Sequence, residues 1–186
     1  MAKYTACICE GGAERAIIDL LLDSGMLVFE RENLIEEQVL SCRNGKIFQK
    51  RYLRKGFTDK ITVYRILDSR REEFKLSKAY EHKVDVVNII TAPEIEMLII
   101  CNENKYREYE REKRKNRQLK PSDFCKINLK YPKVKEYGFI KDYFSDSMIL
   151  INALHAYRSI SKRRKDEKIL WDLLREEVRL SFPGEM

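Results

Sequence analysis

The chain of 186 residues has little of what the commonest metal and nucleotide sites require. Its only histidines, His82 and His155, stand in unrelated contexts. The five cysteines (Cys7, Cys9, Cys42, Cys101 and Cys125) are odd in number and scattered, without the paired spacing of a zinc site. Three of them lie inside apolar runs, which suits reduced thiols better than a disulfide framework. No apolar stretch nears the roughly 20 residues that span a bilayer. The opening MAKYTACICE lacks the basic and apolar regions of a signal peptide. These absences predict a cytoplasmic protein with no membrane segment. A P-loop and a GxGxxG fingerprint are also missing, and no internal repeat or low-complexity linker interrupts the chain.

What is present is a real core and much charge. Hydrophobic residues make up 44% and charged residues 36%, enough apolar material for one folded unit rather than two. The formal charge of +7 is unevenly placed. Residues 1–40 hold eight acidic and three basic side chains, a net of −5, which leaves +12 for the rest. An acidic beginning joined to a basic body suits a protein that gathers metal at one place and polyanion over the remainder, or is ordinary surface charge.

Hydrophobic patterning predicts strands over Tyr4–Cys9, Met26–Phe29, Lys60–Leu67 and Val84–Thr91. Helices are expected from Ala13 to the Gly25 stop, and over Asn33–Leu40, Lys46–Lys55, Glu73–Tyr80 and Pro93–Cys101. Beyond residue 102 helices dominate: a mixed-charge segment Lys105–Arg117, a start at Pro121-Ser122-Asp123, then Tyr143–Ile160 and Lys168–Arg179, with Ser181–Met186 a frayed tail. Alternating strands and helices predict an α/β fold with a mostly parallel sheet flanked by helices. Residues 1–101 would form that core, and 102–186 a basic helical extension packed on it as one compact unit.

Open parallel sheets bind ligands beyond the carboxyl ends of their strands. Acids stand at three such ends: Glu10 after the first strand, Asp68 after KITVYRIL, and Glu94 or Glu96 after VDVVNIIT. Brought together they would repel unless a cation neutralised them, and oxygen ligands favour Mg²⁺ or Mn²⁺. Gly11 and Gly12 permit close approach beside Glu10. Glu14, in the first helical turn, either joins the ligands or complements the helix dipole. Glu72 and Glu73 read as solvated helix residues in preference to ligands.

CEGGAE closing the first strand, LDSR closing a later one and the following IITAPEIEMLII resemble the TOPRIM fold of RloB-like and OLD-type nucleases over roughly Lys3–Cys101. The resemblance implies metal-dependent phosphodiester hydrolysis of DNA or RNA, possessed by a nuclease of a defence system. It carries the metal ligands onto Glu10, Glu14, Asp68 and Glu96, the last within Pro93-x-x-Glu96, with Mg²⁺ or Mn²⁺ as cofactor. Arg70 replaces the second acid of the family's Asp-x-Asp pair, removing one ligand and adding a cation. Arg70 would then join Glu10 and Asp68 as a catalytic residue, with Arg71 as a further phosphate contact. A relative that has lost catalysis and only binds nucleic acid, or docks a partner, is the alternative. OLD-type nucleases carry an ATPase, so an ATPase or other protein subunit is an implied partner.

Basic segments supply candidate nucleic-acid contacts: Lys50, Arg51, Arg54 and Lys55 on one helix, and Lys113, Arg114 and Lys115 on another. Tyr106 and Tyr109 either stack bases or face the core. Lys162–Lys165 (KRRK) either contacts nucleic acid or closes a helix favourably.

Overall fold

Three parallel strands, β1 (Tyr4–Ile8), β2 (Ile61–Leu67) and β3 (Val84–Ile90), form one sheet in the order β1-β2-β3 in the computed structural model. The structure describes residues 4–55, 57, 59–92 and 95–182, with the side chain of Lys55 outside the described set. Gly56, Pro93, Glu94 and residues 183–186 of the expected tail also lie outside it. Ile8 pairs with Arg65, and Leu67 with Ile90, so the carboxyl ends of the strands lie side by side.

Both faces of the sheet are covered, as a parallel sheet requires. On one face α1 (Gly12–Asp23) packs Ala16, Ile17 and Leu21 against Cys7, Ile66 and Ile89. On the other, Phe48 and Tyr52 of α2 (Gly45–Tyr52) pack on Ala6, Ile8 and Val63. Asn44 caps α2 by accepting from the amides of Lys46 and Ile47. A single turn, α3 (Lys78–Glu81), leads into β3.

The second half belongs to the same core. It comprises α4 (Met97–Asn102), α5 (Tyr106–Lys115), α6 (Pro121–Ile127), α7 (Tyr137–Tyr143), α8 (Ser147–Ile160) and α9 (Glu176–Leu180). The buried helix α4 is apolar nearly all round, and one hydrophobic cluster runs from Cys7 through Ile99, Phe124 and Leu154 to Leu174. No helix among the described residues is long and apolar enough to cross a membrane.

Four expected elements differ. Met26–Phe29 is not a strand; Leu27 makes one antiparallel bridge to Leu174. Asn33–Leu40 is not a continuous helix, because Glu36 and Glu37 take positive φ and leave two short 3₁₀ turns. Glu73–Tyr80 is largely irregular before α3; the amide of Ser77 donates to Gln49 Oε1, tying the segment to α2. Lys168–Arg179 splits into a 3₁₀ turn (Leu170–Leu173) and α9, because Ile90 N donates to Lys168 O and Val28 N to Leu173 O. In that segment tertiary pairing has overridden helical periodicity.

These irregular pieces cover the sheet's edges. Leu34 and Leu40 bridge to Thr5 and Ile8 on the outer side of β1, and Lys168 bridges to Ile89 on the outer side of β3.

Candidate metal centre

Parallel pairing of β1 with β2 carries Glu10 and Asp68 to the same end of the sheet. Glu10 follows Cys9, whose amide donates to Leu40 O, and it precedes Gly11, the N-cap of α1. Asp68 follows the last residue of β2 directly. A third acid joins them: ligand oxygens of Glu10, Asp68 and Glu72 all lie within 4.8 Å of one another. Oxygens on opposite sides of one Mg²⁺, each about 2.1 Å from it, stand about 4.2 Å apart. Small side-chain rotations therefore suffice for the three to share an ion. An oxygen-only set of this size suits Mg²⁺ or Mn²⁺ rather than zinc.

Electrostatics make the cluster costly alone. Two like charges 4 Å apart repel by roughly 4 kcal/mol at an effective dielectric of 20. Two guanidinium groups offset part of this. Arg43 donates to Glu10 Oε2 from the solvent side, its own side chain 64% exposed. Arg65 reaches Glu72 from below, donating to its carboxylate at 3.4 Å and to its backbone oxygen at 3.4 Å. Glu10 Oε1 is buried and has no hydrogen-bond partner among the described residues. Burial and then the neighbouring Glu72 push the Glu10 carboxyl up to about 7. An acid in that condition takes either a proton or a cation.

The surrounding cleft, of about 190 Å³, is also lined by Glu14, Glu96 and Lys135. Burial raises the Glu14 carboxyl above its ordinary range, and Asp68 adds to the rise. A Cβ on Gly11 would stand 2.2 Å from Glu14 Oε2, so that glycine gives the carboxylate its room. Glu96 is 3% exposed, with Lys135 Nζ 3.7 Å from its carboxylate.

Of the expected ligands, then, the fold brings Glu10 and Asp68 into the tight group and puts Glu14 and Glu96 on the cleft wall. Glu72, assigned to solvent from the sequence, is the third member of the group. The signal that could have found it is Arg65. An arginine in an apolar strand, here 1% exposed, requires a nearby anion, and Glu72 follows seven residues later.

Arg70 does not point into this group. Its guanidinium makes two hydrogen bonds to Glu167, Nη2 donating to Oε2 at 3.0 Å, and it lines a different cleft. Arg71 is exposed, its amide bonded to Ser69 Oγ. Lys50, Arg51 and Arg54 are exposed on and just after α2, and Arg51 lies over the Tyr52 ring. On α5, Arg114 is exposed, Lys113 donates to Tyr109 OH, and Lys115 pairs with Glu112. Tyr109 is 1% exposed and belongs to the core.

The fold and cleft define a mixed α/β protein with a small parallel sheet and an acid cluster at its carboxyl edge. The chain matches no protein-family model, no curated protein and no solved structure.

Proposed function

We propose that this protein is a TOPRIM-like, metal-dependent nuclease that hydrolyses phosphodiester bonds of nucleic acid with Mg²⁺ or Mn²⁺. The observation that carries the proposal is the buried Oε1 of Glu10, without a hydrogen-bond partner among the described residues, within a three-carboxylate group at the carboxyl ends of parallel strands. Glu10, Asp68 and Glu72 would hold the cation. When bound, such an ion acidifies a coordinated water and offsets charge on the phosphoryl oxygens. Arg43 and Lys135, at the cleft wall, are placed to orient a phosphate. Glu14, held toward its protonated form by burial, is suited to give a proton to the leaving oxygen.

The test is cleavage of mixed DNA and RNA substrates with Mn²⁺, beside calorimetric titration of the metal. Metal-dependent cleavage lost in Glu10→Ala and Asp68→Ala is the expected result; cleavage indifferent to both substitutions refutes the proposal. A second reading has two observations in its favour: Arg43 occupies Glu10 Oε2, and Arg70 stands where the resemblance expects a second aspartate. On that reading the protein binds nucleic acid, or a partner such as an ATPase subunit, without cutting. Tight Mn²⁺ binding without cleavage would select it.

A further inference from the structure

A second cleft, of about 460 Å³, opens between α5, the end of α8 and the loop after β2. Among the described residues five cations line it, Arg70, Lys113, Arg114, Arg117 and Lys162, against one acid, Glu110. Elsewhere along α5 and at its N-cap, Lys105 pairs with Glu108, and Arg111 and Lys115 with Glu112, which leaves exposed Arg107 outside these pairs. Inside the cleft, Arg70 is offset by Glu167, but no carboxylate of the described residues pairs with Lys113, Arg114, Arg117 or Lys162. Unmatched cations gathered on facing walls of one cleft form a site for a multiply charged anion.

The cleft's aromatic surface narrows the ligand. Tyr109 and Tyr157 are 1% and 9% exposed, and Tyr157 OH donates to Ala92 O. Their rings are part of the core and offer no free face for base stacking. Only Tyr106 is half-buried at the rim. Recognition here therefore falls on phosphates, independent of sequence. The volume lies in the range of small-ligand sites, about 300–1,000 Å³, which admits a nucleotide or two of a single strand and not the body of a duplex. Arg70, which lines this cleft, follows Asp68 of the acid group by two residues, so the loop after β2 borders both, and a nuclease would carry the strand from one to the other.

We infer that the cleft between α5 and the end of α8 binds the phosphate backbone of single-stranded nucleic acid through Lys113, Arg114, Arg117 and Lys162. The inference deepens the proposed nuclease and rests on it for the direction of the strand, but binding is measurable without metal.

The experiment is fluorescence-anisotropy titration of labelled single-stranded DNA and RNA in EDTA over a range of salt, with a duplex of equal length alongside. Wild-type protein should bind a single strand more tightly than the duplex. Arg114→Ala/Arg117→Ala should weaken binding roughly tenfold and make the log–log salt slope shallower by about 1.4, at about 0.7 per lost phosphate contact. Lys78→Ala/Lys83→Ala, exposed at the opposite end of β3 from the cleft, should leave both unchanged. Both pairs are on the surface, and circular dichroism checks their folding. Absence of single-strand binding, a preference for duplex, or loss through the Lys78/Lys83 pair instead of the Arg114/Arg117 pair would each overturn the inference. Mn²⁺ titration of the same preparations reads the acid cluster separately, so failure here and failure of the metal site are distinguishable.

Discussion

Arg65 and Glu72 form an ion pair at 3.4 Å that draws a partly exposed acid into the three-carboxylate group. The guanidinium is 1% exposed, lies 4.8 Å over the Phe74 ring and also donates to Asn88 Oδ1. It bonds both the backbone oxygen and the carboxylate of Glu72, while its own Nε finds no partner among the described residues. Arg65→Met would keep most of the volume and delete that orphaned donor, so the fold should survive. Outer-shell partners of metal ligands typically contribute about 10–100-fold in affinity. Calorimetry of Arg65→Met should show Mn²⁺ binding weakened by that order with the far-ultraviolet circular dichroism unchanged.

The raised Glu10 carboxyl gives a pH dependence with a definite sign. Its ordinary value is 4.5 and its folded value about 7, so between them the unfolded chain has released a proton the folded chain still holds. Metal-free stability should therefore fall as pH rises from about 4.5 to about 7, then level off. An upper bound for that loss is about 3 kcal/mol, at about 1.4 kcal/mol per unit between the two values. Glu10→Gln should flatten this part of a melting-temperature profile. Mg²⁺ should stabilise wild-type protein at pH 8 and do little at pH 5, where a proton occupies its place.

Arg70 and Glu167 make an independent acid-sensitive contact. Arg70 and the Arg164 amide hold the Glu167 carboxyl at about 2, below its ordinary 4.5. The pair's contribution is complete above about 4.5 and is lost as pH falls toward 2. Arg70→Ala should make acid unfolding shallower in that window. Since Arg70 stands outside the acid group, the same variant should leave Mn²⁺ affinity within twofold of wild type. A larger drop would mean that Arg70 reaches the metal centre after all.

Gly45 opens α2 in close contact with the strand-like approach to α3. An added Cβ would stand 2.4 Å from Lys75 O and 2.8 Å from Lys75 C, both backbone atoms that cannot swing aside. Gly45→Ala should destabilise the protein by roughly 1–3 kcal/mol, the usual cost of overpacking. Urea denaturation would measure it. Gly11→Ala makes the contrasting case, since the atom it meets is the end of a flexible glutamate. Its fold should persist while the Glu14 carboxylate is displaced.

Strand ends were the legible part of this sequence. KITVYRIL and VDVVNIIT are apolar runs whose burial leaves little choice of conformation, and parallel pairing then puts Glu10 beside Asp68. Segments whose shape depends on distant partners were not legible. The stretch 168–179 has helical periodicity, yet Lys168 and Leu173 bond to residues more than 75 positions earlier. Glu72 was hidden for a different reason: its partner, Arg65, is only seven residues earlier, but the loop after β2 must fold back for the two to meet. Charge pattern on α5 suggested a polyanion surface, but only packing separates the matched cations from the unmatched ones.

The covering of β3 by Lys168 has a consequence for the order in which the molecule can be made. During synthesis the three strands are complete once residue 90 has emerged, yet the segment that occupies the outer edge of β3 follows 78 residues later. At about 5–20 residues per second, a ribosome leaves that edge open for roughly 4–16 seconds. A nascent chain in this interval presents an unpaired parallel strand to its neighbours on the same messenger. Slow codons between positions 90 and 168 would lengthen the exposure, and with it the demand on chaperones.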